Sequence, residues 1–173
     1  MEKIEWLEAY LNEAETMITE GNVKDGLALL QNLLYEEPGY AALHNHLGWA
    51  YQYFMADESK AEAHWKWAVK FDAELAPPYL HLGNFYLQKG RYTDAAAYLE
   101  QGLSKPDANR LVLLEHLAHV YELRSAYGKA IATYKAALTS CVGYQSDALL
   151  EGIKRCRKKK WALLFGIKSR ADA

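Results

Sequence analysis

An all-α chain of about four repeated helix pairs plus a closing helix is the fold class this sequence predicts, and three recurrences predict it. Small residues return every 34 or 35 residues (Ala14, Gly48, Gly83, Ala118), and a second small set follows 12 or 13 residues behind them (Gly26, Ala61, Ala95, Ala130). Four residues after each member of the second set stands a large apolar side chain: Leu30, Trp65, Leu99 and Tyr134. Two helices that cross closely tolerate little more than a methyl at the crossing, and the large residue of one fills the space left by the small residue of the other. Finally, Pro38, Pro77, Pro78 and Pro106 fall where one unit hands over to the next, as expected of a ring that lacks a backbone donor and cannot continue a helix.

The first unit, 7–40, is degenerate, with Glu13 standing where later units have Leu47, Leu82 and Leu117. An end unit has one face without a neighbour, and a polar residue is tolerated there. Its second helix, from about Lys24 to Glu36, is expected to stop before Pro38-Gly39. The second unit, 41–75, carries a one-residue insertion in its turn, Met55-Ala56-Asp57-Glu58-Ser59-Lys60, which lacks glycine. Ser59 with Glu62 three residues later reads as a capping box opening its second helix. The third unit, 76–109, opens on Pro77-Pro78, which the first turn of a helix accepts because its amides are unpaired there in any case. The fourth, 111–144, has Ser125 in place of the turn glycine; a serine there need not take positive φ, so its turn is expected to differ slightly in shape. Beyond Gly143, Ser146-Asp147 starts a closing helix whose stripe is Leu149, Ile153 and Cys156. The array with the start of this helix is assigned to residues 1–153, and a basic amphipathic extension to 154–173.

Leu82-Gly83 three residues before Tyr86, Gly90, Ala95 nine residues after Tyr86 and Leu99 four later describe two short helices and a tight turn. This pattern resembles the tetratricopeptide repeat, whose period is about 34 residues. The resemblance implies a right-handed α-solenoid in which the first helices of successive units line an inner wall where extended peptides or helices bind. On that wall it places Asn45, His46, Trp49, Gln52 and Tyr53 of the second unit. From the third come Leu80, His81, Asn84, Leu87 and Gln88, and from the fourth Glu115, His116, His119 and Glu122. Amides that both donate and accept suit the backbone of an extended chain, and Trp49 and Tyr53 offer anchoring area. One branch of the family grips the terminal carboxylate of a peptide with Lys and Arg at these places; here they hold Asn, His, Trp and Glu, so the clamp is absent.

His46, His81 and His116 recur 35 residues apart. A ladder of imidazoles raises a metal site or a pH switch, but neighbouring first helices about 8–10 Å apart do not reliably bring ring nitrogens onto one ion. A hydrogen-bonding groove is the preferred reading, and no metal or cofactor is expected. His64 is assigned to surface or packing. Cys141 and Cys156 lie on apolar stripes and read as buried thiols. There is no phosphate-binding glycine loop, HExxH, nucleophile elbow or CxxC pair, and the chain is expected not to be an enzyme.

The net charge of −2 conceals a division. Residues 154–173 hold eight Lys/Arg and one acid, a balance of +7, leaving 12 against 21, a balance of −9, in residues 1–153. The acidic body fits a neutral or mildly basic protein partner. The tail pairs cations with Trp161, Leu163, Leu164 and Phe165, a mixture used by helices that lie on anionic membranes or enter partner grooves, and also able to meet nucleic-acid phosphates. The plain alternative is that the helix continues, packs Trp161 and Leu164 on the last unit and solvates its lysines. Tail and body also attract one another between molecules, which would make homo-oligomers. No apolar run approaches the roughly 18–20 residues of a spanning helix. The acidic amino terminus lacks the pattern of a secretory signal, and two cysteines make no disulfide framework, so a cytoplasmic setting is expected. The function expected is thus a protein–protein adaptor or scaffold without catalysis. The alternative is a factor recruited to membrane or nucleic acid by its basic end, with nucleic acid the less favoured partner.

Overall fold

The computed structural model describes residues 2–141 and 146–166, with side chains from Glu5 onward. Among these residues the secondary structure is all helix: α1 (Glu2–Thr19), α2 (Val23–Glu36), α3 (Ala41–Tyr53), α4 (Glu58–Phe71), α5 (Pro77–Gln88), α6 (Tyr92–Gly102), α7 (Arg110–Leu123), α8 (Tyr127–Thr139) and α9 (Ser146–Leu164). The chain forms two compact units, Met1–Leu82 and Gly83–Ala173, divided within α5.

In the first unit α1 packs on α2 and α3, and α3 on α4. Its core is made where small residues let backbones approach. A methyl added at Gly48 would stand 2.5 Å from the indole of Trp65, and one at Gly26 2.6 Å from Ile18 and 2.8 Å from the Ala14 carbonyl. Trp65, Leu43, Leu47 and Ile18 are at most 1% exposed. Glu13 is exposed.

In the second unit α7 packs on α6 and α8, and α9 lies against α8 and α7. Here Gly83 receives Leu99, and Gly152 of α9 receives Tyr134, each with less than 3 Å left for an added carbon. The expected stripe of the closing helix is observed, with Leu149, Ile153 and Cys156 all buried. The division placed at 153/154 on charge falls inside α9, which continues as one helix through Leu164.

Each turn between paired helices holds one residue in the left-handed region. Gly21, Ala56, Gly90 and Ser125 all take positive φ, at 98°, 51°, 70° and 58°. The following amide then reaches back to the helix: Asn22 to the Met17 carbonyl at 2.8 Å, Arg91 to Tyr86 and Ala126 to Tyr121, both at 2.9 Å. This six-to-one closure satisfies a carbonyl at the end of each first helix. In the second pair the bond runs from Asp57 to Tyr51 at 3.0 Å, one residue wider, which is where the insertion is absorbed.

Two expectations are corrected at these turns. Ser125 does adopt positive φ, because closing the helix end outweighs its steric cost. Helix α4 is capped by Asp57, whose carboxylate accepts from the Lys60 amide at 3.1 Å, and begins at Glu58. The longer turn delivers Asp57, not Ser59, to the cap position.

Candidate partner-binding faces on the first helices

On α3 the expected residues Asn45, Trp49, Gln52 and Tyr53 follow four-, three- and one-residue steps, so they lie on one side of the helix with His46 beside them. The opposite side buries Leu43, Leu47 and Ala50. Asn45, His46, Trp49 and Gln52 are half-buried and Tyr53 is exposed. Trp49 meets Phe54 edge to face at 4.9 Å. His46 Nδ1 lies 3.6 Å from a Glu15 carboxylate oxygen on α1. His81, at the start of α5, stacks nearly parallel on Trp65 with ring centres 5.2 Å apart. The amide oxygens of Asn45 and Gln52 are buried and accept no hydrogen bond from the described residues.

The second unit repeats the arrangement in part. Asn84 is half-buried with its amide oxygen likewise unsatisfied, and Gln88 is exposed. On α7, His116 and His119 line a cavity of about 390 Å³ with Glu115, Tyr134, Ala148, Glu151 and Arg155.

Glu122 departs from its expected place on an open face. It is 5% exposed. Arg155 Nε and Nη2 each donate to a different carboxylate oxygen at 2.6 Å, Lys159 Nζ donates at 2.9 Å, and the Tyr134 hydroxyl donates at 3.4 Å. These donors, led by Arg155, hold the carboxyl down at about 2 against the desolvation that opposes them. The physical reason is the closing helix: α9 brings its cations over the position that the repeat pattern assigns to the inner wall. The thiol of Cys156 beside them is fully buried, and burial together with Glu122 pushes it up to about 11.

Burial lowers the pKa of each histidine expected in the ladder: His46, His116, and His81 to about 4. Neutral imidazoles keep one donor and one acceptor nitrogen. Among the described residues no three His, Cys, Asp or Glu side chains are grouped so as to hold an ion.

A model of the tetratricopeptide repeat matches residues 79–111, a stretch that runs from α5 through α6 to the start of α7. The chain carries a tetratricopeptide repeat. The match covers one repeat, and solved structures extend the likeness in fold to the other helix pairs. The structure of pilF from Pseudomonas aeruginosa superposes with a TM-score of 0.76 at 18% identity, covering 99% of this chain and 81% of that one. TTC0263, a thermophilic tetratricopeptide protein of Thermus thermophilus, gives 0.61 at 24% identity over 89% of this chain and 81% of its own. PilW, described as a widely conserved type IV pilus biogenesis factor, gives 0.72 at 15% identity over 94% and 79%. At such identities the architecture is what is shared. No curated protein matches the sequence.

The tetratricopeptide pattern located the α3 face but missed a buried pair behind it. His44 and His64 meet Nδ1 to Nδ1 at 3.0 Å, and His44 Nε2 lies 3.0 Å from the Pro38 carbonyl oxygen. A carbonyl only accepts, so His44 carries its proton on Nε2, and His64 must donate from its own Nδ1 to the bare Nδ1 of His44. Tyr51 stacks on His64, Phe71 on His44, and Trp67 meets both rings edge-on. Of the two readings given for His64, surface or packing, packing is the one observed. The available signal was its register: His64 immediately precedes the buried Trp65, and His44 sits between Leu43 and Leu47.

Proposed function

We propose that this chain is a non-catalytic protein-interaction scaffold, and that the first-helix faces carrying Asn45, His46, Trp49, Gln52 and Tyr53, and His81, Asn84, Gln88, His116 and His119, bind an extended peptide or a helix. Glu122 is withdrawn from that set because α9 occupies it. The observation that supports the reading best is the unsatisfied amide oxygen on each of Asn45, Gln52 and Asn84. A buried acceptor without a donor costs about 1–3 kcal/mol. Rotation about the soft terminal torsion turns such an oxygen outward, where the backbone amide of a bound chain satisfies it. Trp49 and Tyr53 supply the apolar contact area beside these amides.

The test is selection of binding peptides from a displayed random library on the full-length chain, followed by affinity measurement on variants. Peptides held on the first unit are expected to be weakened about tenfold or more by Trp49→Ala, and those held on the second unit by Asn84→Ala, the cost of a lost anchor. Tyr35→Ala is the control, since Tyr35 lies on the second helix α2 and is 91% exposed. Equal loss on Tyr35→Ala, or full binding by both groove variants, rejects these faces.

A further inference from the structure

The closing helix outruns the body that it closes. Its buried positions Leu149, Gly152, Ile153 and Cys156 step by three, one and three residues along one side. The next positions on that side, Lys160 and Leu163, are exposed. From Arg157 onward every described residue of α9 except Ala162 is exposed, and the alternative in which Trp161 and Leu164 pack on the last unit is not what the structure shows: they are 63% and 69% exposed.

This bare end has two tiers. The first is the run Arg157, Lys158, Lys159 and Lys160. Successive helical residues turn by about 100°, so four in a row surround the axis with positive charge. Lys159 reaches Glu122, while Arg157, Lys158 and Lys160 have no acidic partner among the described residues. The second tier is Trp161, Leu163, Leu164 and, just past the helix end, Phe165, between 59% and 69% exposed, with Leu163 and Leu164 leaving the axis about 200° and about 300° round from Trp161. The rings of Trp161 and Phe165 stack with centres 4.2 Å apart.

A partner groove wets one side of a helix and selects for one apolar stripe. Here the apolar and charged groups are separated along the axis and not around it. That is the layering of a lipid interface, where cations sit at the phosphates and aromatic and aliphatic groups lie below. At 1.5 Å per residue the apolar tier is about 6 Å tall, within the roughly 5–10 Å to which interfacial helices bury their apolar groups.

We propose that the carboxyl-terminal end of α9 with the residue that follows it, Arg157–Phe165, docks the chain on an anionic phospholipid surface. The cationic tier supplies attraction and the apolar tier supplies insertion, while Arg155 and Lys159, paired with Glu122, hold the helix to its own body. This goes beyond the peptide-binding reading and does not depend on it.

Co-flotation of the full-length chain with vesicles of phosphatidylcholine alone, or of phosphatidylcholine with phosphatidylserine, decides the matter. Binding is expected only to the vesicles containing phosphatidylserine, and it should fall as salt is raised. Arg157→Gln, Lys158→Gln and Lys160→Gln together should lower partitioning by about a hundredfold, each surface cation counting for about fivefold. Trp161→Ala with Phe165→Ala should lower it by about tenfold or more at unchanged charge. Unchanged circular dichroism and Tm in both variants, whose substituted side chains lie outside the core, show that folding is not the cause. No binding to anionic vesicles, equal binding to neutral ones, or full binding by the variants overturns the proposal. So does a lipid-free dimer, seen by light scattering, that the same substitutions dissolve, since a second copy would then be the occupant.

Discussion

Glu122 on α7 and Arg155 on α9 form a two-pronged ion pair across 33 residues of sequence, with both N–O distances at 2.6 Å. The two partners are unequally placed: the Glu122 side chain is 4% exposed and that of Arg155 48%. Only the arginine can return to water. Removing it strands a carboxylate left with only the Lys159 cation and the Tyr134 hydroxyl, whereas neutralising the glutamate releases cations that solvent accepts. Arg155→Met is therefore expected to cost about 2–3 kcal/mol and Glu122→Gln about 1 kcal/mol, read by urea denaturation. The reverse order would mean that the pair does not carry the attachment of α9.

The histidines and Glu122 set the pH dependence in two windows. His64 and His81 are held near 4 in the folded chain, chiefly by burial, against an ordinary value of 6.5. The unfolded chain binds those protons first, so stability is full above pH 6.5 and declines as pH falls toward 4. Glu122 acts lower down. Its carboxyl, held at about 2 against 4.5, contributes fully above pH 4.5 and is lost as pH falls through 2. Thermal unfolding between pH 7 and 4 should show a falling Tm, and His64→Gln should flatten that fall. An unchanged slope would mean that His64 is charged in the folded state.

At the helix crossings the cost of an added methyl depends on what it meets. Gly48 faces the fused indole of Trp65 at 2.5 Å, and Gly83 faces the branched end of Leu99 at 2.6 Å. A leucine tip can rotate away and a buried indole cannot. Gly48→Ala should cost about 2–3 kcal/mol and Gly83→Ala nearer 1 kcal/mol, measured by chemical denaturation.

The two non-glycine turns offer the opposite change. Ala56 and Ser125 hold φ of 51° and 58°, a region where a Cβ crowds the following carbonyl oxygen. Ala56→Gly and Ser125→Gly should each stabilise the chain by about 0.5–1 kcal/mol, seen as a raised Tm.

Periodicity in the sequence located the helix pairs, the close crossings at Ala14, Gly48, Gly83 and Ala118, and the polar α3 face, because spacing along a helix is itself a spatial coordinate. What it could not locate were relations between residues whose partners lie on other helices. Ser125 looked free to avoid positive φ, yet the hydrogen bond from Ala126 to Tyr121 imposes it. Glu122 looked like a groove residue, since nothing local announces that an arginine 33 positions later will cover it.

The amino-acid order alone thus determined that this is an all-helical repeat with a basic, aromatic end, for those features are written in composition and period. Tertiary packing decided which charges are consumed and which remain outward: Arg155 and Lys159 turn inward to Glu122, while Arg157, Lys158 and Lys160 do not. The reason is geometric. Neighbours in a cationic run leave the helix axis at different angles, and only the placement of α7 beside α9 fixes which of them find a carboxylate.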